Sequence, residues 1–193
     1  MIDSGELVAA LYESGALRRG HFLLSSGRHS SDYVQCALLL EHPSRARRVG
    51  AELSARLAGF DPDSVVSPAL GGLVIGYQVA SELDIAFRFV ERVAGIMTLR
   101  RGFSLRRGER VVVVEDVVTT GRSTAEAIEA VEAVGGSVVA VGSIIDRTID
   151  SRAFDCEYRP LLRLAMETYE PAECPLCQAG QAMEKPGSRR EIQ

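Results

Sequence analysis

Residues 111–124 read Val-Val-Val-Val-Glu-Asp-Val-Val-Thr-Thr-Gly-Arg-Ser-Thr, and the helical pattern of Ala125–Val134 follows directly. Four consecutive valines suit a strand buried on both faces, as in the middle of a parallel sheet. The whole segment reads as strand, acidic end, hydroxyl-and-glycine turn, helix. In open α/β sheets, ligands bind just beyond the carboxyl ends of the strands. Free N–H groups at a helix start, together with its dipole, form a phosphate site. Glu115 and Asp116 can hold hydroxyls or a metal-bound group. One ligand satisfies both halves: a sugar with a phosphate at one end and a vicinal diol in the middle. The plainer alternative is a polar strand exit with Ser123 or Thr124 as N-cap. The valine run and the paired acids in front of the turn argue against it.

A chain of 193 residues with 46% hydrophobic and 25% charged residues reads as one soluble globular domain. A net charge of −4 without a long basic run gives no case for a nucleic-acid binder. No apolar stretch approaches a membrane span, and the N-terminus lacks a basic-then-apolar signal. The expectation is a cytoplasmic enzyme with small-molecule substrates. Of 22 basic residues only Lys185 is a lysine, which limits the cations available for catalysis.

Along the chain, residues 3–14 predict a capped amphipathic helix with Leu7, Ala10 and Leu11 inward. Phe22–Ser26 and Asp32–Ala37 predict two short strands around a Ser/Gly/Arg/His turn. Pro43–Leu57 predicts a helix with Val49, Leu53 and Leu57 on one face. A short strand begins at Ser64, and a Pro/Gly turn leads into a helix that continues to Glu82. Gly71 and Gly72 in that turn let backbone approach a ligand closely. Ile85–Glu91 is strand-like, and residues 92–108 form an arginine-rich loop or hairpin. Ser137–Arg147 predicts another buried strand, ending in Asp146-Arg147 on the same sheet edge as Glu115-Asp116. On the residues alone that pair reads as a surface ion pair. Pro160–Met166 predicts a last strand, and the remainder to Gln193 a loop passing into a frayed end.

The four cysteines, Cys36, Cys156, Cys174 and Cys177, do not form a disulfide framework. Cys174-Pro-Leu-Cys177 has the spacing of half a zinc ribbon, but no second Cys/His pair at ligand spacing follows. His21, His29 and His42 lie far upstream in sequence. Zinc would need Cys156, a distant histidine or a second subunit's tail. A redox pair is a further alternative. Two plain thiols is the reading the sequence favours, with no all-protein metal site.

The stretch Glu115-Asp116-Val117-Val118-Thr119-Thr120-Gly121-Arg122-Ser123 resembles the phosphoribosyl-diphosphate (PRPP) loop of the type I phosphoribosyltransferases. Phe22, Leu24, Ser26, Gly27, Ser30 and Tyr33 fit the N-terminal hood of the orotate phosphoribosyltransferases. In that family the hood covers the base, and an aromatic at the position of Tyr33 stacks on it. Ala69, Leu70, Gly71 and Gly72 occupy the pyrophosphate loop, which in the family often contains a non-proline cis peptide. Arg147 matches the arginine that binds the base's carboxylate, and the Cys/Pro tail is similar to that of one bacterial branch.

The resemblance implies an α/β chain with the type I phosphoribosyltransferase fold: a central, mainly parallel sheet flanked by helices, with a small N-terminal hood. It implies a hood over roughly residues 1–40, a core over 41–167 and a tail over 168–193. It further implies transfer of a phosphoribosyl group from PRPP to orotate in pyrimidine (UMP) synthesis, giving orotidine 5′-monophosphate and pyrophosphate. Residues 115–123 would bind PRPP, and Thr119, Arg147, Tyr33 and Ser26 orotate. Asp116, Arg92, Arg100 and Arg101 would be catalytic. Mg²⁺ would arrive with the substrate, and a mobile loop would cross to the partner site of a homodimer. Lysines common in the family are missing at Ser25, in residues 69–72 and in residues 92–108, so arginines and backbone groups must replace them. A purine-base transferase and a non-catalytic nucleotide-sensing regulator are the alternatives.

Overall fold

The computed structural model describes residues 2–148 and 154–186. The far end of the expected C-terminal tail, 187–193, lies outside the described residues. The chain opens with helix α1 (Ser4–Glu13), where Asp3 and Glu6 form a reciprocal capping box. Strands β1 (Leu17–Leu23) and β2 (His29–Val34) pair antiparallel, with a register shift between Arg19 and Phe22. Both strands lie N-terminal to the expected ones, and the strand expected to reach Ala37 gives way to helix α2 (Cys36–Leu40). An apolar run of five residues has too little length for periodicity to separate strand from helix.

Helix α3 (Pro43–Leu57) starts with proline in its first turn and buries Val49, Leu53 and Leu57. Next come β3 (Ser64–Pro68), α4 (Gly72–Leu83), β4 (Ala86–Val93) and β5 (Ile96–Leu99). The expected central strand is β6 (Arg110–Val118), followed by α5 (Arg122–Ala133) and β7 (Ser137–Asp146). The last strand of the large sheet is β8 (Glu157–Arg163), which begins before Pro160 rather than at it. It pairs only with β7 and forms an edge, where the missing proline N–H is tolerated. Beyond it lie β9 (Thr168–Tyr169) and the one-turn helix α6 (Pro175–Gln178).

The large sheet has the order β5-β4-β3-β6-β7-β8, parallel except for β5. Val111 to Val114 of β6 are fully buried, as a central strand covered on both faces requires. A larger apolar cluster runs from α1 through α3 to one sheet face, and a smaller one packs Ala127 and Val131 of α5 against Val111, Val113 and Val141. At the amino edge of the sheet, buried Glu109 accepts hydrogen bonds from Ser64 Oγ (2.7 Å) and Arg88 Nη1 (2.7 Å). The opposite, carboxyl edge gathers the ends of β3, β6 and β7.

A second sheet has the order β1-β2-β9. Residues 168 and 169, counted from sequence as tail, thus complete the hood sheet. Among the described residues no helix is long and apolar enough to cross a membrane.

Candidate functional site: a phosphate cradle beside two carboxyls

Val118 ends β6, and Gly121 turns the chain into α5 with φ of 75°, a left-handed conformation that glycine adopts without penalty. Gly121 is itself the N-cap and offers no side-chain acceptor, so neither Ser123 nor Thr124 caps the helix. The Arg122 amide has Thr120 Oγ1 at 3.4 Å, a long contact. The positive end of α5 therefore remains available to an anion. A cleft of about 270 Å³ opens here, lined by residues 115–124 together with Pro68, Ala69, Gly71, Arg92 and Met97.

Glu115 is buried and Asp116 half-buried at the cleft wall. Burial, and then the charge of Asp116, pushes the Glu115 carboxyl far above the usual carboxylate range. Burial raises Asp116 as well. Asp116 Oδ1 accepts the Val117 amide at 2.8 Å. Two acids held in this way are stabilised by a ligand that brings hydroxyl hydrogens or a divalent cation. Their oxygen donors fit Mg²⁺, a hard cation that prefers carboxylate and phosphate oxygens. Cys36 of α2 lies behind the pair, and burial followed by the two acidic charges keeps its thiol protonated.

The turn after β3 approaches these acids closely. A Cβ on Gly71 would stand 2.6 Å from Asp116 Oδ1, so any side chain there would push the Asp116 carboxyl out of place. The Ala69–Leu70 peptide is cis, and the Ala69 amide donates to Val90 O at 2.8 Å. Ala69 and Gly71 line the cleft; Gly72 is buried at the start of α4, and Leu70 is 82% exposed.

The expected arginines separate into two groups. Arg92 lines the cleft, donates to Gly95 O at 2.7 Å and pairs with Glu126 of α5. Arg100 and Arg101 instead reach Glu91, at 3.9 and 3.0 Å. Adjacent strand residues point to opposite faces, so pairing with Glu91 takes both away from the side that Arg92 serves. Neither lines this cleft.

Arg147 extends the β6–β7 ladder by donating its amide to Val118 O at 2.8 Å, which fixes it next to the turn. Its side chain does not pair with Asp146. That aspartate is buried and engages Arg163 (3.3 Å) and the Thr148 hydroxyl (2.7 Å), so the surface-pair alternative for Asp146-Arg147 is corrected. Among the described residues Arg147 Nε is buried without a hydrogen-bond partner, and desolvation lowers the guanidinium pKa, partly offset by Asp32. In the hood, Tyr33 packs on Phe22 with centroids 5.6 Å apart, and Ser26 sits exposed in the β1–β2 turn. Neither Ser26, Tyr33 nor Arg147 is part of the cleft wall beside the acids.

A family profile described as the phosphoribosyl transferase domain matches residues 36–155. An orotate phosphoribosyltransferase of Thermotoga maritima is 51% identical over 179 residues, covering 93% of this chain and 96% of the relative. The chain belongs to the orotate phosphoribosyltransferase family. Among solved structures, the orotate phosphoribosyltransferase of Aeropyrum pernix superposes with a TM-score of 0.70 at 28% identity, covering 82% of this chain and 93% of that one. The Mycobacterium tuberculosis orotate phosphoribosyltransferase in complex with PRPP gives 0.60 at 30% identity, covering 68% and 81%.

Glu126 lies outside the cleft wall of this phosphoribosyltransferase but holds two residues of that wall, and the sequence alone did not single it out. It binds both Arg92 and Arg122, and these contacts, Arg92 first, lower its pKa. Its i,i+4 spacing from Arg122 was visible, but the partnership with Arg92 depends on how α5 lies against the β4–β5 hairpin. Met97, which lines the cleft, carried no chemical signal at all.

Proposed function

We infer that this chain transfers the phosphoribosyl group of PRPP to orotate, releasing pyrophosphate and forming orotidine 5′-monophosphate. The observation that carries this reading is one continuous cleft joining an uncapped helix N-terminus to two carboxyls that need hydrogen-bond donors or a cation. In this reading the turn Thr119–Ser123 holds the 5′-phosphate. Glu115 and Asp116 hold the ribose hydroxyls and orient the sugar ring. Glu115 and Asp116 would hold Mg²⁺ brought in with the substrate, which would supply positive charge toward the pyrophosphate. Ala69, Leu70, Gly71 and Gly72 give backbone groups to pyrophosphate, and Arg92, held by Glu126, adds fixed positive charge beside it. Arg stays protonated, so Arg92 stabilises the leaving group without acting as an acid.

Arg147 takes the orotate carboxylate. A buried guanidinium nitrogen without a partner is expensive, and a planar carboxylate supplies the missing acceptor. Thr119, Ser26 and Tyr33 complete the base site when the hood closes over it. Arg100 and Arg101, directed away from this cleft, are assigned to the site of a second copy in a homodimer. The chain acts in the cytoplasm on small molecules.

Purified protein incubated with Mg²⁺ and PRPP should release pyrophosphate with orotate and not with adenine, guanine, hypoxanthine or xanthine. Turnover of a purine alone would overturn the assignment of the acceptor. PRPP binding without pyrophosphate release from any base would make the chain a regulator. Asp116→Asn should lower kcat/KM at least about a hundredfold, the scale of one lost electrostatic contact in a transition state. Its melting temperature should stay close to that of the parent.

A further inference from the structure

Four side chains outside the cleft converge between the hood and the tail: His21 of β1, His29 of β2, and Cys174 and Cys177 around α6. Their ligand atoms all lie within 4.8 Å of one another. His21 Nε2 is 3.0 Å from His29 Nδ1, 3.6 Å from Cys174 Sγ and 3.7 Å from Cys177 Sγ. Cys177 Sγ is 3.3 Å from His29 Nδ1. A zinc ion with Zn–N near 2.0–2.1 Å and Zn–S near 2.3 Å spans a tetrahedron with edges of about 3.3–3.8 Å. Four of the six ligand-atom separations, 3.0, 3.3, 3.6 and 3.7 Å, fall on or just inside that figure, and none of the six exceeds 4.8 Å.

We propose that His21, His29, Cys174 and Cys177 bind one structural Zn²⁺ that clamps the C-terminal tail onto the hood. The protonation pattern supports it. His21 Nδ1 faces Gln181 O at 2.9 Å, and a carbonyl only accepts, so the proton sits on Nδ1. In the neutral ring, the Nε2 lone pair then points at the three other ligand atoms. A carbonyl bonded to the distal nitrogen is the usual orienting partner of a metal-bound histidine. Two thiolates and two neutral imidazoles balance the charge of Zn²⁺, so the buried site carries no net charge. Mixed thiolate and imidazole ligation in four-coordinate geometry selects zinc among the common divalent ions.

Packing alone does not explain the arrangement. In residues 171–186 only Cys174 is buried, and α6 is a single turn with no buried residue apart from its cap. Such a segment has almost no apolar surface with which to hold the hood. Other ties of this segment to the hood include the Leu23 amide to Glu184 O and the Glu184 amide to His21 O, each 2.8 Å, and an exposed Arg18–Glu184 ion pair at 2.6 Å. His21 is 2% exposed and His29 6%, while Cys177 is open to solvent and gives the ion a path in. Both thiols lose their protons on binding, so the site forms with release of two protons. This replaces the expectation of two plain thiols.

Protein purified without chelator and desalted should contain one zinc per chain by elemental analysis. Replacement by Co²⁺ should give the visible absorption of tetrahedral, thiolate-bound cobalt. Cys177 is exposed, so Cys177→Ser tests the metal without disturbing the core. It should weaken zinc binding by more than about tenfold, since loss even of an outer partner costs about 10–100-fold. Cys156→Ser should leave the stoichiometry at one. Thiol titration should find Cys174 and Cys177 protected until a zinc chelator is added. Zinc-free protein with freely reacting thiols, a Cys174–Cys177 disulfide, or zinc retained in the double variant Cys174→Ser/Cys177→Ser would each overturn the proposal. None of these measurements uses phosphoribosyl transfer, so their failure leaves the proposed activity untouched.

Discussion

Glu115 shows how a single position can set stability against function. The folded protein holds its proton to about pH 9, whereas an unfolded chain releases it near 4.5. Between those values the unfolded state binds fewer protons, so stability falls as pH rises through the window. Glu115→Gln removes the ionisation while keeping the shape. The variant should therefore be more stable than the parent near pH 8, by about 2 kcal/mol or more given roughly 1.4 kcal/mol per pKa unit. That corresponds to about 2–4 °C in Tm per kcal/mol for a chain of this size. The gain should shrink as pH approaches 4.5, and turnover should fall because the ribose hydroxyls lose a carboxylate. Melting curves of ligand-free protein across the pH range check this; identical pH slopes for parent and variant would contradict it. Arg147 carries the same lesson with opposite charge. Its position at a strand end was legible in the sequence, but its unpaired Nε was not, because Asp146 could be seen to turn to Arg163 and Thr148 only once β7 and β8 lay side by side.

At the scale of elements, the legible parts were those with long, one-sided patterns. The valine run gave β6, and the turn chemistry after it gave the start of α5. The less legible parts owe their structure to distant partners. β2 begins at His29 because that side chain is buried against His21 and the cysteines of α6, about 150 residues away, and because β9 pairs with it. No local pattern encodes such a contact. The β4–β5 hairpin is a similar case. Val93 pairs with Ile96, leaving Ala94 and Gly95 as a two-residue loop with φ of 49° and 87°. Positive φ at both positions is the condition of a type I′ turn, for which Asn-Gly is the strongest sequence signal. Alanine in the first position hides the turn from a sequence reading and carries strain of about 1 kcal/mol. Ala94→Asn should raise the urea midpoint by the equivalent of about 0.5–1 kcal/mol with an unchanged m-value. A lower midpoint would show that the loop tolerates alanine without cost. Because Arg92 bonds Gly95 O in this same loop, the substitution also tests whether a stiffer hairpin alters turnover.

For the molecule as a whole, the exposed apolar surface beside the turn after β3 bears on how two copies would meet. Leu70 is 82% exposed, and Val74 and Tyr77 of α4 are 46% and 59% exposed. Val74 and Tyr77 are three residues apart on α4 and share one face, and Leu70 lies in the turn just before that helix. Apolar side chains grouped in this way mark an interaction surface more often than an accident of composition. This surface adjoins the cleft through Gly71, so a second copy seated on it would lie near the neighbouring site. That arrangement suits the assignment of Arg100 and Arg101 to a partner, and a two-fold axis would let each copy present the same surface to the other. The parent chain should then sediment at twice 20.9 kDa. Tyr77→Arg, which keeps a long side chain at an exposed position, should shift it toward the monomer mass and cost turnover more than melting temperature. A dimer that survives the substitution would move the interface elsewhere. A parent that sediments as a monomer would leave Arg100 and Arg101 without a site to serve, and the leaving group would then depend on Arg92 and backbone amides alone.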